Sequence, residues 1–248
     1  MKKLIIVQAR MDSTRLPGKV MKVVCSKPLL EHFINRLKRV KSADQIVIAT
    51  TINDIDNQIV DLCKRLDISY YRGSEEDVLD RYYKAALENN GDVIARITSD
   101  CPLIDPDVVD MVFDYYQKHE GLYDYVSNAL ERTFPRGMDV EVFSLKALKE
   151  SFEEATLLPD REHVTTFIRM RPQRYSLHNI SYKEDCSCLR WTVDTEEDLR
   201  LITKIYDSLF YVNPNFSLED ILELVDKNQD WVDINKHITQ KRYGEYNN

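Results

Sequence analysis

Three cations fall within ten residues of the segment QARMDSTRLPGK, residues 8–19: Arg10, Arg15 and Lys19, with the hydroxyls of Ser13 and Thr14 between them. Guanidinium forks and an ammonium so spaced can neutralise a polyphosphate while loop N–H groups wrap its oxygens. Two carboxylates follow apolar runs further along, Asp100 in ARITSDCPLIDP (95–106) and Asp194 in LRWTVDTEEDL (189–199). Acids at the ends of two separate strands are placed to share one hard divalent cation, and Mg²⁺ takes oxygen ligands from protein and phosphate alike. Such an ion offsets charge developing on an α-phosphate and on departing pyrophosphate.

Two further segments carry polar groups suited to an acceptor. In FPRGMDVEVFS (134–144), Arg136 and Gly137 form a turn before a predicted strand in which Asp139 and Glu141 share a face, being two residues apart. Paired acids there can hydrogen-bond sugar hydroxyls or assist deprotonation. In PDREHVTTFIRMRP (159–172), Arg161, Glu162 and His163 cluster at a predicted helix start, in reach of an acceptor pocket or a partner subunit. Each segment read alone also admits a plainer role: a solvated basic loop, a turn for Asp100, a helix cap for Asp194, a solvent-facing strand, a solvated helix terminus.

The elements that must position these groups follow from the apolar pattern. Short Ile- and Val-rich runs alternate with segments of helical period, which predicts βα units around a mixed, mostly parallel sheet flanked by helices. The predicted strands are Leu4 to Ala9, Gln45 to Thr50, Ser69 to Arg72, Asp92 to Thr98, Asp124 to Ser127, Asp139 to Phe143, Tyr175 to Asn179 and Leu189 to Val193. Ile55, Ile59, Leu62, Cys63 and Leu66 share one helix face. Ser74, three residues before Asp77, marks a helix start, and Pro106 opens another. The 248 residues read as a single α/β domain with an insertion or flap at about 145–172 and a helical segment over about 213–248.

Composition narrows the function classes. A formal charge of -8 argues against general binding to nucleic acid or anionic membranes, so a phosphate ligand needs a local cationic site. The six glycines form neither GxGxxG nor GxxxxGK[ST], leaving dinucleotide-binding and Walker-type loops unsupported. Five scattered cysteines without a CxxC pair favour neither a disulfide framework nor a zinc site, and the five histidines lack metal-ligand spacing. That cysteine usage fits a reducing compartment, so the expectation is a cytoplasmic protein, and with no apolar run of membrane-spanning length MKKLIIVQARMDS reads as a first strand.

In combination, QARMDSTRLPGK, GSEEDVLDRYYKAA, RITSDCPLIDP, RGMDVEVFS, REHVT and RWTVDTEEDL resemble, in order, the cytidylyltransferase family that includes spore coat polysaccharide biosynthesis protein F. More distantly they are similar to the synthetases of CMP-linked acylneuraminate and deoxy-octulosonate sugars. The resemblance implies a Rossmann-like nucleotide-diphospho-sugar transferase fold. It implies transfer of CMP from CTP to a sugar, sugar acid, phosphate or phosphonate acceptor, with pyrophosphate release, in surface or spore coat polysaccharide biosynthesis. It places the nucleotide on Ala9, Arg10, Ser13, Arg15 and Lys19, Mg²⁺ on Asp100 and Asp194, and catalysis on Arg15, Lys19 and Asp100. Arg136, Asp139, Glu141, Arg161, Glu162 and His163 are the acceptor side, and a homodimer is expected. Asp12 and Ser99 stand where glycine is frequent in the family. A glycosyltransferase using a nucleotide sugar and a non-catalytic nucleotide-binding subunit are the alternatives; pyrophosphate release from CTP separates them from the transferase.

Overall fold

Strand β1 (Lys3–Gln8) carries four consecutive buried apolar residues because both of its faces are covered. Ile5 and Val7 enter one apolar cluster, Leu4 and Ile6 the other, as the alternation of strand side chains requires. The computed structural model describes residues 1–239. Beside β1 lie β4 (Gln45–Thr51) and β6 (Val93–Thr98), both parallel to it, and β5 (Ser69–Gly73) extends the sheet beyond β4. β8 (Glu141–Ser144) runs antiparallel to β6 and to β7 (Tyr125–Ser127), and β9 (Leu177–Asn179) pairs parallel to β7. The seven-stranded order is β5-β4-β1-β6-β8-β7-β9, and a two-stranded hairpin of β2 (Val23–Val24) and β3 (Lys27–Pro28) stands apart.

One face of the sheet is covered by α1 (Leu29–Leu37), α2 (Asn57–Leu66), α4 (Pro106–Lys118), α8 (Glu196–Leu209) and α9 (Leu218–Lys227). The other is covered by α3 (Val78–Glu88), α5 (Leu145–Glu154), the short α6 (Leu158–His163) and α7 (Thr166–Arg169). The stretch 145–172, read from sequence as an insertion or flap, is therefore a layer of the core: Ala147, Leu148, Phe167 and Ile168 are buried with Leu4 and Leu79. The amphipathic faces of these helices are used within the chain. The expected C-terminal helical segment is met by α9 and a 3₁₀ turn over Gln229–Ile234, and its last part, 240–248, lies outside the described residues. Among the described residues no helix is long and apolar enough to cross a membrane.

Three local expectations are corrected. Leu189 to Val193 is extended but is not a strand: it makes one isolated bridge, Arg190 to Arg136. Its backbone groups serve loops instead, since Leu189 O accepts from Arg136 N, Trp191 N donates to Arg136 O and Val193 N donates to Asp100 O at 2.8 Å. Asp139 lies before β8, so it and Glu141 are not neighbours on one strand face. Arg161, Glu162 and His163 close the C-terminal end of α6, a helix the apolar pattern of six residues is too short to announce. The helix after Ser74 begins at Val78, four residues later, with Asp77 as N-cap accepting from Asp80 N at 2.9 Å. Pro106 does open α4, capped by Asp105.

Candidate active site

The loops following β1, β5 and β6 emerge at the same edge of the sheet, where ligands of open α/β folds bind. They enclose a cleft of about 770 Å³. The loop after β1 is closed on itself by Gly18, at φ +66°, whose N–H donates to Met11 O at 2.9 Å. Asp56 holds the same loop from below, accepting from Met11 N at 2.7 Å. The positive φ at Gly18 turns the chain so that Lys19 opens a 3₁₀ turn with its side chain directed inward.

Lys19 is the centre of the arrangement. Its Nζ lies 2.8 Å from Asp194 Oδ1 and 3.6 Å from Asp100 Oδ2, and it also donates to Val193 O at 2.8 Å. Arg15 reaches Asp194 Oδ2 at 2.9 Å from the cleft side, and Arg190 reaches the same oxygen at 2.9 Å from the protein side. Burial alone would pull the Lys19 ammonium down, but Asp100 and Asp194 outweigh it and hold its pKa above the usual lysine value. Burial likewise pushes Asp194 up, and Lys19, Arg15 and Arg190 outweigh that, holding it below the usual carboxylate range. Sequence places Lys19 and Asp194 175 residues apart, yet they form one charged unit.

The two carboxylates reach this unit through backbone rather than through paired strands. Asp100 follows β6 directly, and the bond from Val193 N to Asp100 O fixes the 189–193 segment beside it. Gly137, at φ +104°, lets the 136–138 turn lie on that segment: a Cβ there would meet the Trp191 carbonyl at 2.8 Å. Asp194 is not a helix cap. Thr195 caps α8, in a capping box with Asp198. This leaves Asp194 free of the cap role and turned to Lys19.

Among the described residues no cluster of three or more His, Cys, Asp or Glu is arranged to hold a metal. Two carboxylates with a bridging ammonium do not make a closed cage, but they fit an ion that keeps waters and binds through one or two carboxylates plus phosphates, as Mg²⁺ does. The charge of the cleft points the same way. Its lining has six acids, Asp12, Glu75, Glu76, Asp100, Glu162 and Asp194, against four cations, Arg10, Arg15, Lys19 and Arg81. A polyphosphate needs additional positive charge to enter it.

The other expected residues divide by partner. Ala9, Arg10, Ser13, Glu162 and His163 line the cleft, with Arg10 paired to Glu75 at 3.1 Å. Arg161 does not: its guanidinium holds Asp77 and donates to Phe152 O at 2.8 Å, tying α6 to the start of α3. Asp139 is paired with Arg132, and the Arg136 backbone is bridged to the 189–193 segment. Glu141 is sealed in the interior, where it pairs with Arg96 and accepts from Tyr125 Oη and Thr165 Oγ1, each at 2.6 Å. Burial pushes its carboxyl up, and Arg96 and Arg169 override that and bring it to about 2. It cannot meet a substrate where it stands.

Glu141 acts on the cleft wall instead. Val164, fully buried and β-branched, sits at φ +62°, ψ −59°, and Thr165 N donates to His163 O at 2.6 Å. This is the γ-turn of positive φ, a rare and strained conformation. The bond from Thr165 to Glu141 holds it, and the turn presents Glu162 and His163 to the cleft. Burial lowers the His163 pKa, favouring the neutral imidazole.

Sequence reasoning missed Arg190, Asp198 and Asn235. Arg190 Nε donates to Asp198 Oδ1 at 2.9 Å, and Asn235 Nδ2 donates to Asp198 Oδ1 at 2.8 Å and to Arg190 O at 3.0 Å. The signal available was the T-x-x-D capping pattern of Thr195 and Asp198, which marks the helix start beside Asp194 but not the arginine that bridges them.

A family model described as Cytidylyltransferase matches residues 4–241, nearly the whole chain. The chain belongs to the cytidylyltransferase family. Spore coat polysaccharide biosynthesis protein SpsF of Bacillus subtilis is 33% identical to it over 235 residues, 92% of this chain and 95% of that protein. A solved cytidylyltransferase from Leptospira borgpetersenii serovar Hardjo-bovis has a TM-score of 0.91 at 33% identity, covering 98% of this chain and 100% of that one. CMP:2-keto-3-deoxy-manno-octonic acid synthetase, solved in complex with CTP, shares the fold at 15% identity, with a TM-score of 0.63 over 84% of this chain and 99% of that one. The matched cytidylyltransferase region contains every cleft residue named above.

Proposed function

We propose that this cytidylyltransferase transfers CMP from CTP to a sugar, sugar acid, or phosphate- or phosphonate-bearing acceptor in polysaccharide biosynthesis, releasing pyrophosphate. The observation that carries this reading is Lys19 held between Asp100 and Asp194 with Arg15 at the cleft side, at the ligand-binding edge of the sheet in a member of this family. The relative named for spore coat polysaccharide biosynthesis and the synthetase solved with CTP supply the donor and the pathway class.

In the proposed reaction an acceptor oxygen forms a bond to the α-phosphorus of CTP, and the bond from that phosphorus to the bridging oxygen of pyrophosphate breaks. Lys19 and Arg15 orient the phosphates by charge-assisted hydrogen bonds, and Arg15, with a partly exposed side chain, can exchange from Asp194 onto a phosphate oxygen. Asp100 and Asp194 would hold a Mg²⁺ ion, which when bound supplies compensation for charge on the α-phosphate and the leaving group. Arg190 and Asp198 keep Asp194 in place throughout. Glu162 and His163, on the cleft wall, face the acceptor side. The active form is a homodimer in the cytoplasm.

The test is pyrophosphate release with each of four nucleoside triphosphates against a panel of sugar acids, sugar phosphates and phosphonates, with and without Mg²⁺. CTP-dependent release with one acceptor class supports the reading; metal-dependent CTP binding with no release across the panel contradicts turnover.

A further inference from the structure

The five cysteines divide by setting. Cys63 and Cys101 are buried, and burial pushes the Cys63 thiol up to about 12, so neither is open to chemistry from outside. Cys25 donates its thiol to Asp207 Oδ1 at 3.4 Å. Cys186 and Cys188 differ from all three. Cys186 is half-buried, Cys188 is exposed, and a single residue separates them.

Both belong to one turn, closed by Leu189 N donating to Cys186 O at 3.0 Å, with Ser187 and Cys188 at its centre. Asp185 Oδ1 accepts from Ser187 N at 2.9 Å and fixes the approach to it. The first and third residues of such a turn fall within the roughly 4.4–6.8 Å Cα separation that a disulfide spans. The two thiols also act on one another, since burial, Glu184 and then Cys188 push the Cys186 pKa up. A ring closed across one intervening residue is strained, and exposed, strained disulfides are the readily reduced ones.

The turn leads directly into the site. Thr133 holds its start, with Oγ1 accepting from Tyr182 N and the carbonyl from Cys186 N, each at 2.7 Å. Leu189, the last residue of the turn, accepts from Arg136 N; Trp191 N and Val193 N then donate to Arg136 O and Asp100 O, and Asp194 follows. A bridge over 186–188 bends the backbone of the turn that begins this ladder, so its strain falls on the bonds of 189–193.

We propose that Cys186 and Cys188 are a redox-active dithiol whose oxidation to an intramolecular disulfide loosens the 189–194 segment and slows turnover. The oxidant is a small-molecule disulfide of the glutathione class. The Cys188 thiolate attacks one sulfur of that disulfide, forming a mixed disulfide and releasing one small thiolate. The Cys186 thiolate then attacks Cys188 Sγ, the Cys186–Cys188 bond forms, and the second small thiolate leaves. Two electrons pass from the dithiol to the oxidant, and the two protons of the protein thiols end on the two released thiols. In a reducing compartment the ring stays open, and a rise in the disulfide oxidant closes it. The effect on turnover rests on the cytidylyl-transfer reading above; the bridge itself does not.

The experiment incubates wild type, Cys186→Ser and Cys188→Ser with oxidised glutathione and reads intact mass with peptide mapping, amide hydrogen exchange over 189–194 and pyrophosphate release. Wild type should lose two hydrogens, mapped to a bridge over 186–188. Cys186→Ser should stop with one glutathione on Cys188, and Cys188→Ser should form no bridge. In bridged wild type, exchange over 189–194 should rise severalfold and pyrophosphate release should fall severalfold, and dithiothreitol should reverse both. Cys188→Ser should turn over as reduced wild type does and keep that rate in oxidised glutathione. Wild type that stays unmodified, or carries glutathione on both thiols without a bridge, overturns the proposal. A bridge that leaves exchange over 189–194 unchanged overturns it too. Reduced wild type that releases no pyrophosphate with any acceptor defeats the transfer reading alone, because mass and exchange still report the bridge and its effect on the segment.

Discussion

Asp194 and Glu141 are alike in composition of surroundings and opposite in use. Each is a buried carboxylate ringed by cations, Lys19, Arg15 and Arg190 around the first, Arg96 and Arg169 around the second, and each is held below its ordinary pKa by them. Asp194 opens onto the cleft, and two of its partners, Arg15 and Lys19, line that cleft with it. Glu141 is enclosed by Arg96, Tyr125 and Thr165, and none of these three lines the cleft. The difference teaches that a carboxylate–arginine cluster is functional or structural according to whether a ligand can replace one of its partners.

The comparison breaks first at Glu141, where the largest effect is expected. Glu141→Gln leaves Arg96 and Arg169 without a compensating charge and should lower stability by about 3–5 kcal/mol, read by urea unfolding. The pH dependence sharpens this. A carboxyl brought down to about 2 contributes stability that is present above its unfolded pKa near 4.5 and is lost as pH falls from there toward 2. Wild type should show that loss and Glu141→Gln should lack the corresponding part. Stability unchanged by the substitution would mean that the Glu141 cluster is not what holds this wall.

Next in size is the effect of Asp100→Asn and Asp194→Asn on turnover. Each should reduce pyrophosphate release by roughly 10²–10³-fold, the loss typical of a group that stabilises developing charge. Because both belong to one unit with Lys19, the double variant should be little worse than either single one. Additive losses, or near-wild-type turnover by Asp194→Asn at limiting Mg²⁺, would separate the two carboxylates and undo the shared role.

Arg15→Ala should cost roughly 1.5–3 kcal/mol of CTP binding, the value of a charge-assisted hydrogen bond. Its side chain is partly exposed and pairs with Asp194, so the unfolding temperature should move little. CTP affinity equal to wild type would remove the loop after β1 from the site. The smallest effect is expected from Thr165→Val, which deletes one hydrogen bond to Glu141 and should lower stability by about 1 kcal/mol while shifting the acceptor KM more than the CTP KM. A change confined to the CTP KM would place the γ-turn at Val164 on the nucleotide side of the cleft instead.

Much of the scaffold is legible in the sequence because it is set by local patterning. The apolar run of β1, the stripe of α2 and the proline at the start of α4 are properties of a few neighbouring residues, and each forms the element its pattern predicts. The 189–193 run misleads because apolar character reports burial, not pairing: Trp191 and Val193 are buried, but the backbone between them bonds to two turns. The six-residue α6 carries too few turns for a periodic signal, so Arg161, Glu162 and His163 are misplaced to a helix start.

By itself the sequence determined which residue types could handle a triphosphate, Arg10, Arg15, Lys19, Asp100 and Asp194, and that the first four of them follow strands. Only the tertiary structure decided their partners. Lys19 lies between two acids, Arg161 is turned to Asp77, and Glu141 is withdrawn into the interior. The physical reason is that strand and helix formation depends on the order of apolar residues over a few positions. The behaviour of a charge depends on how far it is desolvated and on which opposite charges stand within a few ångströms, and those neighbours come from segments 45 to 175 residues away.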